Sequence, residues 1–397
     1  MKITHKGKRR IILKIVLIVV LTVLSVAVSI CNNFIPRSVA DFYGTNIFPH
    51  VSAPAQSFNM MFHFSLTENI IIIGVPLLVA GFIVWLVFLI KKLLSKGAVK
   101  YLYQSYRNLM IVVLLGTIIF QAMHGIAYRR TDVEDELNLI EKEELTFDEY
   151  CAALKWAYMG MIEARSHLGE DYNGVAHMTE SFESSSSYAN SLLNAFADEY
   201  EIPLSENYVR AKPVSFSHYW SYTYIVGAYD MYLGETNLNT DYMNITEFPY
   251  TLCHELCHAK GYASETDCNL LAALACISSK RADFRYAGYY EIFWNIYPIA
   301  KQYAEATDQV LPQYIVTSEM EPVYRDMRAG YMYWDKIDSE VDAIYKMFGL
   351  NITETSNTVN DTFLKSNGEE EGVETYNVPD SIYVRFYLTY VEGAEDA

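Results

Sequence analysis

The sequence predicts a mainly helical α+β protein with a small β-sheet, carried behind N-terminal transmembrane helices. Three observations predict it. Apolar runs of membrane length are confined to the first third of the chain. Helical apolar spacing fills most of the remainder, and one aromatic, β-branched stretch interrupts it. The 397 residues include 30 Lys/Arg and 48 Asp/Glu, a formal net charge of -18. That excess of acid argues against nucleic acid as a partner, which demands a basic surface. Apolar residues at 51% and charged residues at 20% argue against long disordered regions.

The charge is divided by position. Residues 1–127 hold 12 basic residues and two acids, Asp41 and Glu68; residues 128–397 hold 18 basic residues and 46 acids. The first part also carries the apolar runs. Ile11 to Ile30 contains one charge, Lys14; Ile70 to Ile90 contains none; Leu109 to Ala127 is interrupted late by Gln121 and His124. A helix needs about 20 apolar residues to cross a bilayer. Spans are therefore expected at about 11–31, 70–90 and 109–127, making 1–127 a membrane anchor and 128–397 a second domain. The first run follows a basic segment, as in a signal peptide. Its apolar core is long and lacks a small-residue cleavage site, so an uncleaved span is expected.

Orientation follows from basic residues near the spans. Lys2, Lys6, Lys8, Arg9 and Arg10 precede the first span, and Lys91, Lys92, Lys96, Lys100 and Arg107 lie between the second and third. Only Arg37 lies between the first and second. The expected protein is a multi-pass cell-membrane protein with residues 128–397 extracytoplasmic, a placement that depends on the third span.

In the second domain, Tyr150–Leu168, Tyr188–Tyr200, Phe248 to about Tyr303, Pro312–Phe348 and Ser381–Val391 have helical character. Lys212-Pro213 opens the aromatic, β-branched stretch Val214–Tyr232, read as strands. Gly234 to Asn239 reads as a turn and a short edge strand. Asp361, Lys365 and Tyr376 fall in a late loop. Six cysteines in 397 residues do not form a disulfide framework.

The chemistry concentrates in Pro249–Asn269, which contains His254-Glu255-Leu256-Cys257-His258. On a helix, histidines four apart share a face and can hold one metal ion through their imidazoles. Glu255 sits about 100° round the helix, placed to act on a water at the metal as a general base. Gly261 suits a helix end, and Glu265 opens the next apolar helix, so the turn can return its carboxylate as third ligand. A fourth position left to water makes such a site catalytic, with Zn2+ the preferred ion. Asp267 is the alternative third ligand. Asn269 or Asp267 are candidate outer-shell partners. Cys253 and Cys257 point about 100° away from the histidine face and are read as packing residues.

Weaker candidates surround this centre. Gly227, Tyr229, Gly234, Glu235 and Asn239 form a stretch able to align an extended substrate by strand addition, or an ordinary hairpin. Tyr376 is a candidate oxyanion donor, or a solvated loop residue.

Glu265-x-x-Cys268-Asn269 is close to the E-x-x-A-D pattern of several HExxH peptidases, in which the Glu binds metal. More of the chain also looks familiar. Gly125-Ile-Ala-Tyr-Arg-Arg after the third run, Lys212-Pro-Val, Gly234-Glu-Thr-Asn-Leu-Asn239, the HExxH segment and Asp361-Thr-Phe-Leu-Lys365 through Tyr376 occur in one order. This order resembles an uncharacterised bacterial three-span membrane family, a domain of unknown function, whose HExxH-G-x-x-x-E motif suggests zinc metallopeptidases. The resemblance implies a zincin-like metallopeptidase domain behind the anchor. The sequence departs from that family at Asp267, where Glu is usual, and at Cys268, where Ala is usual.

The expectation from the sequence is a membrane-embedded zinc metallopeptidase cleaving peptide or protein substrates outside the cytoplasm. His254, His258 and Glu265 hold the metal, and Glu255 activates water. Two other readings stand beside it: a non-catalytic zinc-binding receptor or scaffold, and a metal-dependent hydrolase of cell-envelope material.

Overall fold

The computed structural model describes residues 5–95, 97–142, 144–313, 317–349 and 351–393. Lys2 and Lys96 of the charge argument lie outside the described residues. Three helices are long and apolar enough to cross a membrane: α1 (His5–Ser29), α4 (Leu66–Leu94) and α5 (Ala98–Met123). They are consistent with a multi-pass membrane protein. Leu77, Leu78 and Val112 on these helices are more than 60% exposed, and a helix apolar on every face and unburied by protein suits lipid. The Ser65 hydroxyl caps α4 by accepting from the Glu68 N–H. Lys91 and Lys92 occupy its last turn, where positive charge complements the helix dipole.

The third helix differs from its predicted limits. It begins at Ala98 rather than Leu109 and ends at Met123, because His124 leaves helical geometry. Gly125–Arg129 then forms a 3-10 turn. Between the first two spans lie α2 (Arg37–Asn46) and α3 (Phe48–Met60). These pack on the second part of the chain. Gln56 donates to the Ala259 carbonyl (2.8 Å) and Asn207 to that of Pro49 (2.7 Å). Thr131 donates both its N–H and its hydroxyl to Asp41.

Beyond the spans the order is α6 (Val133–Glu136), α7 (Phe147–Ser166), α8 (Phe182–Glu199), β1 (Lys212–Pro213), α9 (Ser217–Ser221), β2 (Gly227–Asp230) and β3 (Glu235–Leu238). Then follow α10 (Phe248–Ala259), α11 (Glu265–Ile277), α12 (Ala282–Thr307), α13 (Glu321–Phe348), α14 (Ile352–Asn367) and α15 (Asp380–Phe386). A capping box of Thr146 and Glu149 starts α7. The core sits around α10 and α11, which are buried along almost their whole length. They are enclosed by α8, α12 and the sheet, with α7 packed along α12.

The sheet order is β1-β3-β2, with β1 parallel and β2 antiparallel to β3. This corrects the expected edge strand: Glu235–Leu238 is the central strand, fully buried, and β2 is an edge. It also corrects the run of strands over Val214–Tyr232, of which only β2 is one. The backbone N–H groups of Ser215 and Phe216 donate to the buried Glu68 carboxylate (3.0 and 2.7 Å). That contact turns the chain into α9 despite its β-favouring residues, a tertiary override of a weak local preference. Asp361 and Lys365 lie on α14 rather than in a loop.

Glu235 has a structural task. Its carboxylate pairs with the buried Lys212 ammonium and accepts from the first N–H groups of α4, Leu66 (3.0 Å) and Thr67 (2.7 Å). A helix leaves these groups without partners, and an anion there is favoured. Glu235→Ala is expected to strand Lys212 as an unpaired buried charge and cost about 3–5 kcal/mol. Lys212→Met with Glu235→Leu should cost less than Glu235→Ala alone, as thermal unfolding in detergent would show.

Candidate metal centre

Pro249 stands at the start of α10, where its missing N–H costs nothing. His254 and His258 follow one turn apart and both are buried. The chain turns at Gly261, φ +104°, a left-handed conformation that suits glycine. A side chain there would also meet the Phe48 ring at 2.9 Å. Ser264 caps α11 through the Asp267 N–H, so Glu265, its first residue, is carried back over α10.

Three donor atoms converge. His254 Nε2 and His258 Nε2 lie 3.1 Å apart. Glu265 Oε2 lies 3.2 Å from the first and 3.4 Å from the second. Tetrahedral zinc with bonds of about 2.0–2.1 Å places its ligands about 3.3 Å from one another. Glu265 Oε2 is buried and makes no aligned hydrogen bond despite these short approaches. An acceptor aimed between two imidazole nitrogens, at ligand-to-ligand spacing, fits a shared cation. Among the described residues, this is the group of His, Cys, Asp or Glu whose donor atoms gather closely enough to hold one.

The surroundings set the ring states. His258 Nδ1 is 3.1 Å from the Tyr262 carbonyl, which can accept only if Nδ1 carries the proton. In the neutral ring that leaves the Nε2 lone pair facing the cluster, as a metal ligand requires. Cys268 Sγ lies 3.3 Å from the same Nδ1, so its thiol touches a candidate ligand. Without metal, burial works against charge on Glu265, but the His258 charge and contacts from both imidazoles hold it well below the usual carboxylate range. Burial lowers His258, and the Glu265 charge outweighs it, raising the ring to about 9. Burial pushes Glu255 up against the pull of both histidines.

Asp267 is directed elsewhere: its carboxylate accepts from the Val133 N–H at 2.8 Å, tying α11 to α6. Asn269 donates to the Tyr376 carbonyl at 2.6 Å and lines the same cavity as the histidines. The Tyr376 ring stacks on His254, centroids 6.5 Å apart, and its hydroxyl accepts from Asn360 (3.3 Å). Gly227 of β2 lies directly over Glu255: a Cβ there would stand 2.7 Å from Glu255 Oε1. Gly234, Glu235 and Asn239 do not line the cavity. Asn239 instead donates to Ser221 (2.8 Å) and to the Ile225 carbonyl (3.1 Å), fixing the approach to β2.

The cavity has a volume of about 1180 Å3. The metal cluster and β2 form one wall, and α14 forms another with Ile352, Val359 and Phe363. Two lining residues, His124 and Tyr128, escaped the sequence reading as site members. His124, just past α5, sets its ring 5.7 Å from that of His258. Burial, then the His258 charge, push it down to about 3, so it is neutral. Tyr229, from the strand-addition candidates, stacks on His258 with centroids 6.2 Å apart. The hydroxyls of Tyr229 and Tyr128 are buried without a hydrogen-bond partner. A polar break at the end of the third apolar run was the visible signal for His124.

Fold and site together define a candidate mononuclear metal centre set beside three apolar helices. The chain belongs to a family of proteins of unknown function (DUF3810), whose model matches residues 43–379, from α2 to just before α15. No curated protein and no solved structure matches it.

Proposed function

We propose that this protein is a membrane-anchored, zinc-dependent peptidase of zincin-like design acting outside the cytoplasm. The observation that carries the reading is the convergence of His254, His258 and Glu265 on the wall of a large cavity, with Glu265 Oε2 left unbonded. Bound zinc supplies Lewis-acid polarisation of a carbonyl and acidification of water. Glu255, on the same wall, takes the proton of the attacking water and returns it to the leaving amine. Apart from the Tyr229 N–H, which Glu255 engages, the outer edge of β2 offers backbone groups to an extended peptide. The unpartnered hydroxyls of Tyr128 and Tyr229, with that of Tyr376, are donors available to a developing oxyanion. The basic residues Lys91, Lys92, Lys100 and Arg107 around the α4–α5 turn support a cytoplasmic turn and hence an external site.

The test is cleavage of an unbiased peptide library by the full-length protein. Cleavage abolished by a chelator and restored by zinc is expected. Stoichiometric zinc with no cleavage of peptides would favour a receptor or scaffold, and products from envelope extracts alone would replace the substrate. A second check uses Gly227→Ala. The added methyl displaces Glu255, and a misplacement near 1 Å costs about 100-fold in turnover. Zinc content should stay at the wild-type level, read by metal analysis beside steady-state kinetics.

A further inference from the structure

The candidate site is pinned to the membrane-spanning helices on two sides. On one side His124 follows the last residue of α5 directly and meets His258. On the other, β2 ends at Asp230, whose carboxylate accepts from the Thr67 hydroxyl (2.9 Å) in the first turn of α4. The end of α1 is level with these. Gln121, in the last turn of α5, donates to the Ser29 carbonyl at 3.3 Å. The Tyr43 hydroxyl donates to the Ala122 carbonyl at 2.8 Å. Trp85 of α4 donates to Ser105 of α5 (2.9 Å) where the two helices run antiparallel, which sets the start of α4 at about the height of the end of α5. Three span ends therefore lie at one level, and the site rises immediately from it.

The direction of β2 adds a second constraint. Gly227 covers Glu255, and Asp230 touches α4, so the strand runs from the reacting group to the span end. Three residue steps of extended chain cover about 10 Å. The headgroup layer adds only about 5–7 Å per leaflet. A polypeptide paired along the open edge of β2 leaves the site toward the bilayer surface at its Asp230 end. The cavity floor beside it is supplied by His124 and Tyr128, and Phe363 on the opposite wall packs on Phe120 of α5.

Resting on the peptidase reading, we propose that the substrate is a membrane-anchored polypeptide cut in its juxtamembrane segment, within about ten residues of the hydrocarbon edge. A freely soluble peptide gains nothing from this placement. A tethered chain is delivered to β2 at high effective concentration only when its spacer spans the short gap, and longer spacers dilute it.

The test places the full-length protein in vesicles together with a randomised eight-residue segment joined to one apolar transmembrane helix. Gly/Ser spacers of graded length, from none to about 30 residues, separate segment and helix. The same randomised segment is also offered free in solution. Cleavage positions are read by mass spectrometry. The expected result is a rate at least about tenfold higher at the shortest productive spacers than at the longest, with cuts clustered near the anchor. Sharing a membrane raises local concentration for every anchored substrate, so the dependence on spacer length decides the matter. Cuts independent of distance from the anchor, or equal rates for free and anchored segments, would overturn the proposal while leaving the peptidase reading intact. No zinc-dependent cleavage of either form would remove the peptidase reading and this inference with it.

Discussion

Glu255→Gln is expected to abolish hydrolysis, by about 10²–10⁴-fold, while zinc stays bound at one ion per chain. The expectation rests on position. His254 and His258 share the face of α10 that turns to Glu265. Glu255 is offset from that face and lies under the Gly227 backbone, lining the cavity. Its carboxylate is not among the converging donor atoms, so replacing it leaves the ligand set whole. Glutamine keeps the shape beneath Gly227 and loses the ability to accept a proton. Metal analysis and turnover on any substrate cleaved by the wild type check both halves. Full activity in the variant would remove Glu255 from the mechanism. Zinc lost together with activity would make it a ligand instead.

The parts of this site legible in the sequence were the local ones. His254, Glu255 and His258 are fixed relative to one another by a single helix, and Gly261 and Ser264 mark where that helix stops and the next begins. The three helices of membrane length were legible as long apolar runs, although the N-terminal turns of α5, with Lys100 and Arg107, fell outside the apolar window. What escaped depends on contacts far apart in the chain. Glu235 read as part of a turn and edge strand able to align a substrate, yet its partners include the start of α4, more than 160 positions away, as well as Lys212. His124 reads as a polar flaw in an apolar run until the fold sets it beside His258. The strand reading of Val214–Tyr232 failed for the same reason, since the Glu68 carboxylate claims the backbone of Ser215 and Phe216.

The choice of third ligand separates cleanly by substitution. Glu265→Gln is expected to lower zinc affinity by at least about 100-fold, beyond the 10–100-fold typical of losing an outer-shell partner. Asp267→Asn should leave affinity near the wild-type value. Glu265 Oε2 stands between the two Nε2 atoms with no other hydrogen-bond partner, so neutralising it removes a charged ligand and leaves two imidazoles alone. Asp267 spends its carboxylate on the Val133 N–H, and an asparagine carbonyl accepts the same bond. The readout needs no substrate. Zinc that binds only the folded chain raises stability by about 4 kcal/mol at a thousandfold excess over its dissociation constant. Wild type and Asp267→Asn should therefore show a zinc-dependent rise in Tm that a chelator reverses, and Glu265→Gln should show at most about a third of it, since a 100-fold weaker site gains about 1.4 kcal/mol at the same zinc concentration. The opposite pattern, a shift kept by Glu265→Gln and lost by Asp267→Asn, would move the third ligand to Asp267. It would also require Asp267 to move, because its carboxylate is not among the donor atoms that converge with the two histidines.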